Sequence, residues 1–530
     1  MRNSIKVLVF TILTIGFIYS YPGKILQEFK LDHTCPTGLA CDGENIWLAD
    51  RKDDKIICIS AKNGNQIKSI ESPAYWPMGL AWDGQYLWNT DEKTQSIYKI
   101  DPEDGTILKT LPYPGQKPRD IAWDGEYLWV ADNKQGKIYQ ISTTDGTTIK
   151  TLTAPSSDIR GLTFDGKYLW CSDRVKDEIY MVAPKNGQVI IITEAPGPFT
   201  RGMTFNDNNL WAVDYQTDYL YKLSYKDDEK YRRYDERKAK VRYTHQIKNF
   251  GPGNIKTLDV HLGIPENRPN QKINSIEYPV IQPGSIVKDR WNQKTAHFHG
   301  EQIKPGQTVN YVMTTDAQIF AVRHFLFPED AGELNEIHQK IKEKYLENNE
   351  KYQIEHPFIQ AKVQEIVGSE ENTYWIARKT FDYLIDNMYY ERVGGWNTAP
   401  TVLERGNGSC SEYTFVYIAM CRAAGLPARY VGSAVVRGDD SCIDKVFHRW
   451  AEVYFPGYGW IPVDPSGGDK KSPRDQTDSF GALNNRFLIT TEGGGGSKTM
   501  QWTYNSNEFY TTEPKTKVHS EHIAEWEPIQ

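Results

Sequence analysis

At 530 residues and 60.9 kDa the chain is long enough for several domains. Its 62 Lys and Arg stand against 69 Asp and Glu, a net charge of −7, so the balance is mildly acidic and gives no support to nucleic-acid binding. Seven cysteines is an odd number, so a full set of disulfides within the chain is excluded.

The N-terminus has Arg2 and Lys6, then an apolar run from Val7 to Ile18. That run is shorter than the ~20 apolar residues a membrane span needs. Residues 1–20 therefore read as a secretory signal peptide, with an uncleaved N-terminal anchor as the alternative, because Ile18-Tyr19-Ser20 matches a cleavage site poorly. No second apolar stretch is long enough to span a bilayer. The expected location is extracytoplasmic: secreted, periplasmic or at the cell surface.

A regular repeat follows. Trp47, Trp88, Trp129, Trp170 and Trp211 are spaced 41 residues apart, and Asp50, Asp91, Asp132, Asp173 and Asp214 repeat in register. A full unit such as the one at Asp120–Asp132 holds two strands joined by an Asp-Gly hairpin signal, followed by two further strand-like runs. Four strands per ~40 residues predict a β-propeller over 21–228. The segment Lys24–Phe29 reads as the strand that completes the last unit, which favours five blades, with six as the alternative. One aspartate per unit after a strand is expected to stabilise a turn. The repeats resemble NHL-type and glutamine cyclotransferase-like propellers, and the propeller scaffold is expected to present a loop-lined face to a protein or glycan partner. No motif carries a cyclase activity across.

Residues 229–240 are charged with mixed sign and read as a linker. From 241 to 325, short strands alternate with turns at Gly251-Pro252-Gly253 and Lys304-Pro305-Gly306, which predicts an all-β sandwich. His297 and His299 would share a strand face; with no third ligand apparent they are read as a surface pair. Helical periodicity begins near Leu334, where Leu334, Ile337, Ile341 and Tyr345 share a face, and recurs at Ala377, Phe381, Leu384, Ile385 and Met388. These helices belong to an α+β unit over 330–491, followed by a C-terminal tail over 492–530.

The chemistry is concentrated in that unit. Ser409 and Glu412 make a capping-box pattern before the apolar run Tyr413–Met420, so Cys410 falls in the first turn of a buried helix. Helix N-termini favour a thiolate. His448–Phe455 and Trp460–Asp464 read as two strands around the turn Pro456-Gly457-Tyr458-Gly459. A four-residue loop would put Asp464 opposite Ala451, roughly 10 Å along the strand from His448. Bringing His448 and Asp464 together is then expected to need a longer loop or a bulge.

The motifs Gly406-Asn407-Gly408-Ser409-Cys410, Cys421–Arg429, His448-x-Trp450-x-Glu452-Val453-Tyr454 and Gly459-Trp460-x-x-x-Asp464-Pro465 resemble the transglutaminase-like superfamily. The resemblance implies a papain-like α+β core with a Cys–His–Asp triad carried by Cys410, His448 and Asp464, and an acyl-enzyme thioester on a protein or peptide substrate. Protease, deamidase and transglutaminase all occur in that group, as do inactive scaffolds, so the fold does not choose the reaction. The Cys410 N–H is the expected oxyanion donor, with Trp396 or Asn397 as the second. No cofactor or metal is expected. Cys421 reads as core, and Cys35 with Cys41 as a candidate disulfide. The competing reading is a non-enzymatic surface or assembly protein that binds through its β domains.

Overall fold

The computed structural model describes residues 21–226, 228–392, 395–438 and 441–529. The expected signal segment lies outside the described residues. The chain is mostly β, with few helices. Among the described residues, no helix is long and apolar enough to cross a membrane.

Residues 25–224 form five four-stranded antiparallel sheets. Four are built from consecutive strands; the fifth joins Thr200–Asn206, Asn209–Asp214 and Tyr219–Ser224 to the N-terminal strand Ile25–Lys30. The repeated tryptophans are all buried. In the first four units each indole N–H donates to the Asp five residues earlier, as Trp47 does to Asp42 at 2.9 Å and Trp129 to Asp124 at 2.7 Å. Asn206 replaces that Asp in the fifth, and the Trp211 N–H has no partner. The other repeated aspartates are turn holders. Asp214, for example, accepts from the N–H of Phe199 at 2.6 Å and of Thr217 at 2.8 Å.

The innermost strands meet through residues without side chains. Gly38, Gly79, Gly161 and Gly202 repeat at 41-residue spacing, and Asp120 takes the remaining place. A Cβ on Gly161 would overlap the Arg201 carbonyl, and one on Gly202 would press on Gly38. Fully buried Asp120 fills the space the glycines leave, accepting from Leu162 N–H at 2.8 Å and Ile121 N–H at 3.0 Å.

One outer strand differs from its counterparts. Ile67, Leu108 and Ile149 are 56%, 46% and 52% exposed, whereas Ile190 at the same repeat position is 4% exposed. The strand Val189–Glu194 packs against the helix Thr373–Asn387, in one apolar core with Phe381 and Leu384. Around that contact Arg378 and Thr477 donate to the Val189 carbonyl at 3.1 and 2.9 Å, and Arg474 pairs with Glu178.

Two further antiparallel sheets share a second core, with Val241, Tyr243 and Ile247 from one side and Val260, Leu262 and Phe298 from the other. Two sequence expectations are corrected here. The charged linker 229–240 is not a linker: residues 231–251 are one long strand, paired with Thr308–His324 from its first residue. Over residues 231–238 the strand pairs on one side only and its side chains stay exposed or half-buried, which accommodates the charges; pairing on the second side begins at Ala239. Nor is 492–530 a separate tail, because Ser506–Thr512 joins one sheet and Lys517–Pro528 the other. Cys35 and Cys41 are unpaired, as are the other five cysteines. They stand at opposite ends of the strand Pro36–Cys41, roughly 20 Å apart at ~3.3 Å per residue, far beyond disulfide reach.

The remaining unit places helices against a four-stranded sheet ordered Gly459–Val463, His448–Phe455, Ala428–Val435 and Phe487–Gly493. The helix Cys410–Ala423 is almost wholly buried and packs on the His448–Phe455 strand. It ends at Gly425, whose φ of +84° suits glycine alone at little cost.

Candidate active site

Cys410 is the first residue of its helix and is 8% exposed. The turn is fixed from below by Glu412, which is fully buried. Its carboxylate accepts from Ser409 N–H at 3.1 Å, Asn397 Nδ2 at 3.0 Å and Arg405 Nη2 at 3.1 Å. The capping carboxylate thus also ties down the loop at Asn397 and the end of the helix Ala399–Arg405, both ahead of the cysteine. This removes Asn397 as an oxyanion donor, because its amide is committed to Glu412.

The hairpin carrying the other two residues solves its register in the opposite way to the expectation. Phe455 pairs with Gly459 and Ala451 with Val463, so the loop is three residues long rather than four or more. Gly459, at φ +84°, makes the tighter turn practicable. The next step of the register sets Asp464 level with Trp450, two residues from His448 and on its face. Such diagonal neighbours have Cβ atoms ~7–8 Å apart, a gap that an imidazole and a carboxylate span. His448 Nε2 lies 2.7 Å from Asp464 Oδ2. The second carboxylate oxygen accepts from Ser466 N–H at 3.1 Å and Ser466 Oγ at 2.6 Å. The imidazole is stacked on Phe487 at 5.6 Å and flanked by Trp450 at 5.8 Å.

The structure thus brings Cys410, His448 and Asp464 together. Burial alone would raise the Cys410 thiol, but the hydrogen bond and charge of His448, with the Arg449 N–H, hold it below its ordinary value. Burial opposes protonation of His448 as well; Asp464 and then Cys410 outweigh it and push the imidazole up to about 10. Burial likewise opposes the Asp464 charge, and His448 and Ser466 keep that carboxyl below its usual range. All three shifts favour thiolate beside imidazolium. Cys421, on the same helix, is fully buried, and burial pushes its thiol up, as an inert core cysteine requires.

Several residues around the thiol were not anticipated from sequence. Tyr504, from the segment before Ser506–Thr512, interacts with Ser411 and with the Cys410 thiol. The fully buried Arg449 guanidinium is boxed by Trp396 at 4.8 Å, Tyr430 at 4.7 Å, Phe415 at 5.2 Å and Tyr504 at 4.3 Å. Trp396, 36% exposed, stands at the rim. Trp396 was already a candidate, and Arg449 carried a signal in its place beside His448; nothing in the sequence linked Tyr504 to Cys410 across 94 positions. Motif residues Arg429 and Glu452 prove structural: they pair across adjacent strands, with Arg429 Nε 2.9 Å from Glu452 Oε2, and Arg268 and Glu492 extend the cluster. His297 and His299 share Asp259 at 2.8 and 2.9 Å, far from the thiol in sequence and in a different sheet.

Residues 360–465 match the transglutaminase-like superfamily core. Among curated proteins, the chain is 29% identical over 140 residues to a Haemophilus influenzae protein of unassigned function, spanning 21% of this chain and 38% of that one. It is 25% identical over 104 residues to YebA of Bacillus subtilis, spanning 18% of this chain and 14% of that protein. The matched stretches thus cover well under two thirds of either relative. Among solved structures, it is similar to a candidate cysteine protease from Cytophaga hutchinsonii, at 16% identity and TM-score 0.39, covering 56% of this chain and 92% of that one.

Proposed function

From the transglutaminase-like core at 360–465, we propose that the protein is a thiol acyl-transfer enzyme acting on amide groups of proteins or peptides. The observation that carries the proposal is the 2.7 Å His448–Asp464 contact beside a thiol whose titration is lowered at a buried helix N-terminus. In this reading the Cys410 thiolate attacks the amide carbonyl carbon and forms a C–S bond. The oxyanion is met by the Cys410 N–H and the Trp396 indole N–H. His448 gives its proton to the leaving nitrogen as the C–N bond breaks, leaving a thioester. Water or an amine then attacks the thioester carbonyl, His448 takes the proton, and the thiolate departs. Water gives a carboxylate and an amine gives a new amide.

The rest of the chain serves delivery in this proposal. The five sheets, the strand Ile25–Lys30 in the fifth, and the contact of Gly202 with Gly38 support a closed five-bladed propeller. The two-sheet unit is read as the sandwich beside it. The propeller carries Arg119, Arg160 and Arg201 at 41-residue spacing, all buried. Arg119 and Arg160 are paired with Glu92 and Asp158, while Nε and Nη1 of Arg201 make no hydrogen bond. This favours an acidic group on a protein or glycan partner. Arg2, Lys6 and the apolar run after them support export.

The reaction is tested by incubating the protein with casein and a labelled primary amine. Label incorporation identifies transamidation; new termini identify a peptidase; released ammonia without either identifies a deamidase. No product with wild type beyond that with Cys410→Ala, across these and glutamine- or asparagine-containing peptides, contradicts the proposal.

A further inference from the structure

The two-sheet unit holds a second cluster of chemistry-bearing side chains, unrelated to the triad. His245 lies on the long strand Tyr231–Gly251, and His522 is its register partner on Lys517–Pro528. Glu508 reaches them from Ser506–Thr512 in the facing sheet. His245 Nε2 is 3.3 Å from Glu508 Oε2, His522 Nε2 is 3.8 Å from the same oxygen, and all three ligand atoms lie within 4.8 Å of one another. The two rings meet edge to face at 4.5 Å. Among the described residues no other group of three or more His, Cys, Asp or Glu comes together in this way.

What marks the cluster is unmet bonding. The His245 side chain is fully buried, yet its Nε2 makes no hydrogen bond, and neither does that of His522. Buried polar atoms are nearly always satisfied. The other side of His245 is deliberately fixed: Nδ1 is 2.9 Å from Ser506 Oγ, which is 2.8 Å from Tyr243 Oη. The free oxygen of Glu508 accepts from Ser520 Oγ. Outer partners of this kind orient metal ligands. They hold His245 and Glu508 with their ligand atoms within 4.8 Å of each other and of His522 Nε2.

We infer that His245, Glu508 and His522 bind a divalent transition-metal ion, zinc foremost. Two imidazole nitrogens and a carboxylate oxygen suit zinc, whereas calcium and magnesium prefer oxygen ligands. Tetrahedral ligands at ~2.0–2.1 Å stand roughly 3.3 Å apart. The 3.3 and 3.8 Å separations therefore need only small side-chain adjustment. Glu508 and His522 are 21% and 34% exposed, which gives an ion a way in from solvent although both Nε2 atoms are themselves buried, and a water completes the four ligands. The ion joins three strands from both sheets, two of them from the C-terminal segment that also delivers Tyr504 to Cys410. It goes beyond the proposed acyl transfer and does not depend on it.

The test uses full-length Cys410→Ser protein, so that the triad thiolate cannot itself take zinc. Metal-stripped protein is titrated with zinc against a chromophoric chelator, and one equivalent per chain is expected. Glu508→Gln and His522→Gln, each checked for folding by circular dichroism, should each weaken binding at least about tenfold. Zinc should raise the thermal midpoint of the parent and lose that effect in both variants. Cobalt(II) should give a tetrahedral ligand-field spectrum in the parent alone. Failure of the parent to bind zinc, or affinity changed less than tenfold in either folded variant, overturns the assignment.

Discussion

Replacing Glu452 by Gln keeps its shape and removes its charge. Glu452 is 4% exposed on its side chain and faces two guanidinium groups, those of Arg429 at 2.7 Å and Arg268. Each such pair is worth about 4 kcal/mol at an effective dielectric near 20, set against the cost of drying the ions. Removing one member of a buried pair costs about 3–5 kcal/mol because the partner charges stay behind. Glu492, 35% exposed, still pairs with both arginines and tempers the loss, so about 3 kcal/mol is expected at pH 7. The pH dependence fixes the cause. Burial would raise the Glu452 carboxyl, but Arg268 and Arg429 hold it below its ordinary value of 4.5. A depressed folded-state value stabilises above the unfolded value and is lost as pH falls through the folded one. The gap between wild type and Glu452→Gln should therefore be constant from about pH 6 to 8 and narrow in acid below about pH 4. Urea unfolding followed by near-ultraviolet circular dichroism measures it. A gap below about 0.5 kcal/mol at pH 7, or one that does not narrow in acid, refutes the reasoning.

Asp464→Asn removes the charge that holds His448 protonated, so alkylation of Cys410 at pH 6 should slow about ten- to a hundredfold; the thiolate fraction falls further, but a more basic thiolate is the better nucleophile. An unchanged rate would count against the ion pair. Ile190→Glu should break the contact between the fourth sheet and the helix Thr373–Asn387 and expose the junction to limited proteolysis. Ile149→Glu, at an exposed position of the same repeat, should leave both digestion and stability within about 0.5 kcal/mol of wild type; equal behaviour of the two would contradict the interface. Gly161→Ala drives a Cβ into the Arg201 carbonyl and should cost about 2–3 kcal/mol in thermal unfolding, whereas an unaltered midpoint would show that the inner strands can spread.

Local signals carried much of this fold. The 41-residue spacing of Trp47 to Trp211 and the strand at Lys24–Phe29 were legible because one repeated unit writes its pattern several times. Cys410 was legible through its cap, and His448 and Asp464 through their motifs. Long-range pairing was not. Residues 229–240 look like a linker because charge masks strand propensity, yet their partner lies some eighty residues on. One missed signal was available: Lys68, Lys109 and Lys150 are succeeded in the repeat by Ile191, which marks the strand that docks. Hairpin register turned on a single loop residue, and a one-residue change moves every side chain relative to its partner. Tyr504 and the cluster of His245, Glu508 and His522 are set by pairings that no local pattern encodes.

The central claim is that His448 holds Cys410 as a thiolate. Iodoacetamide alkylation of Cys410, located by mass spectrometry and followed from pH 5 to 10 in wild type and His448→Ala, tests it directly. The claim predicts fast labelling at pH 6 in wild type, in line with a thiol lowered by its imidazolium partner, and in His448→Ala a rate that rises only toward the range of a free thiol near ~8.5. Wild-type labelling that follows the free-thiol curve, or that is unaltered by loss of His448, would contradict it.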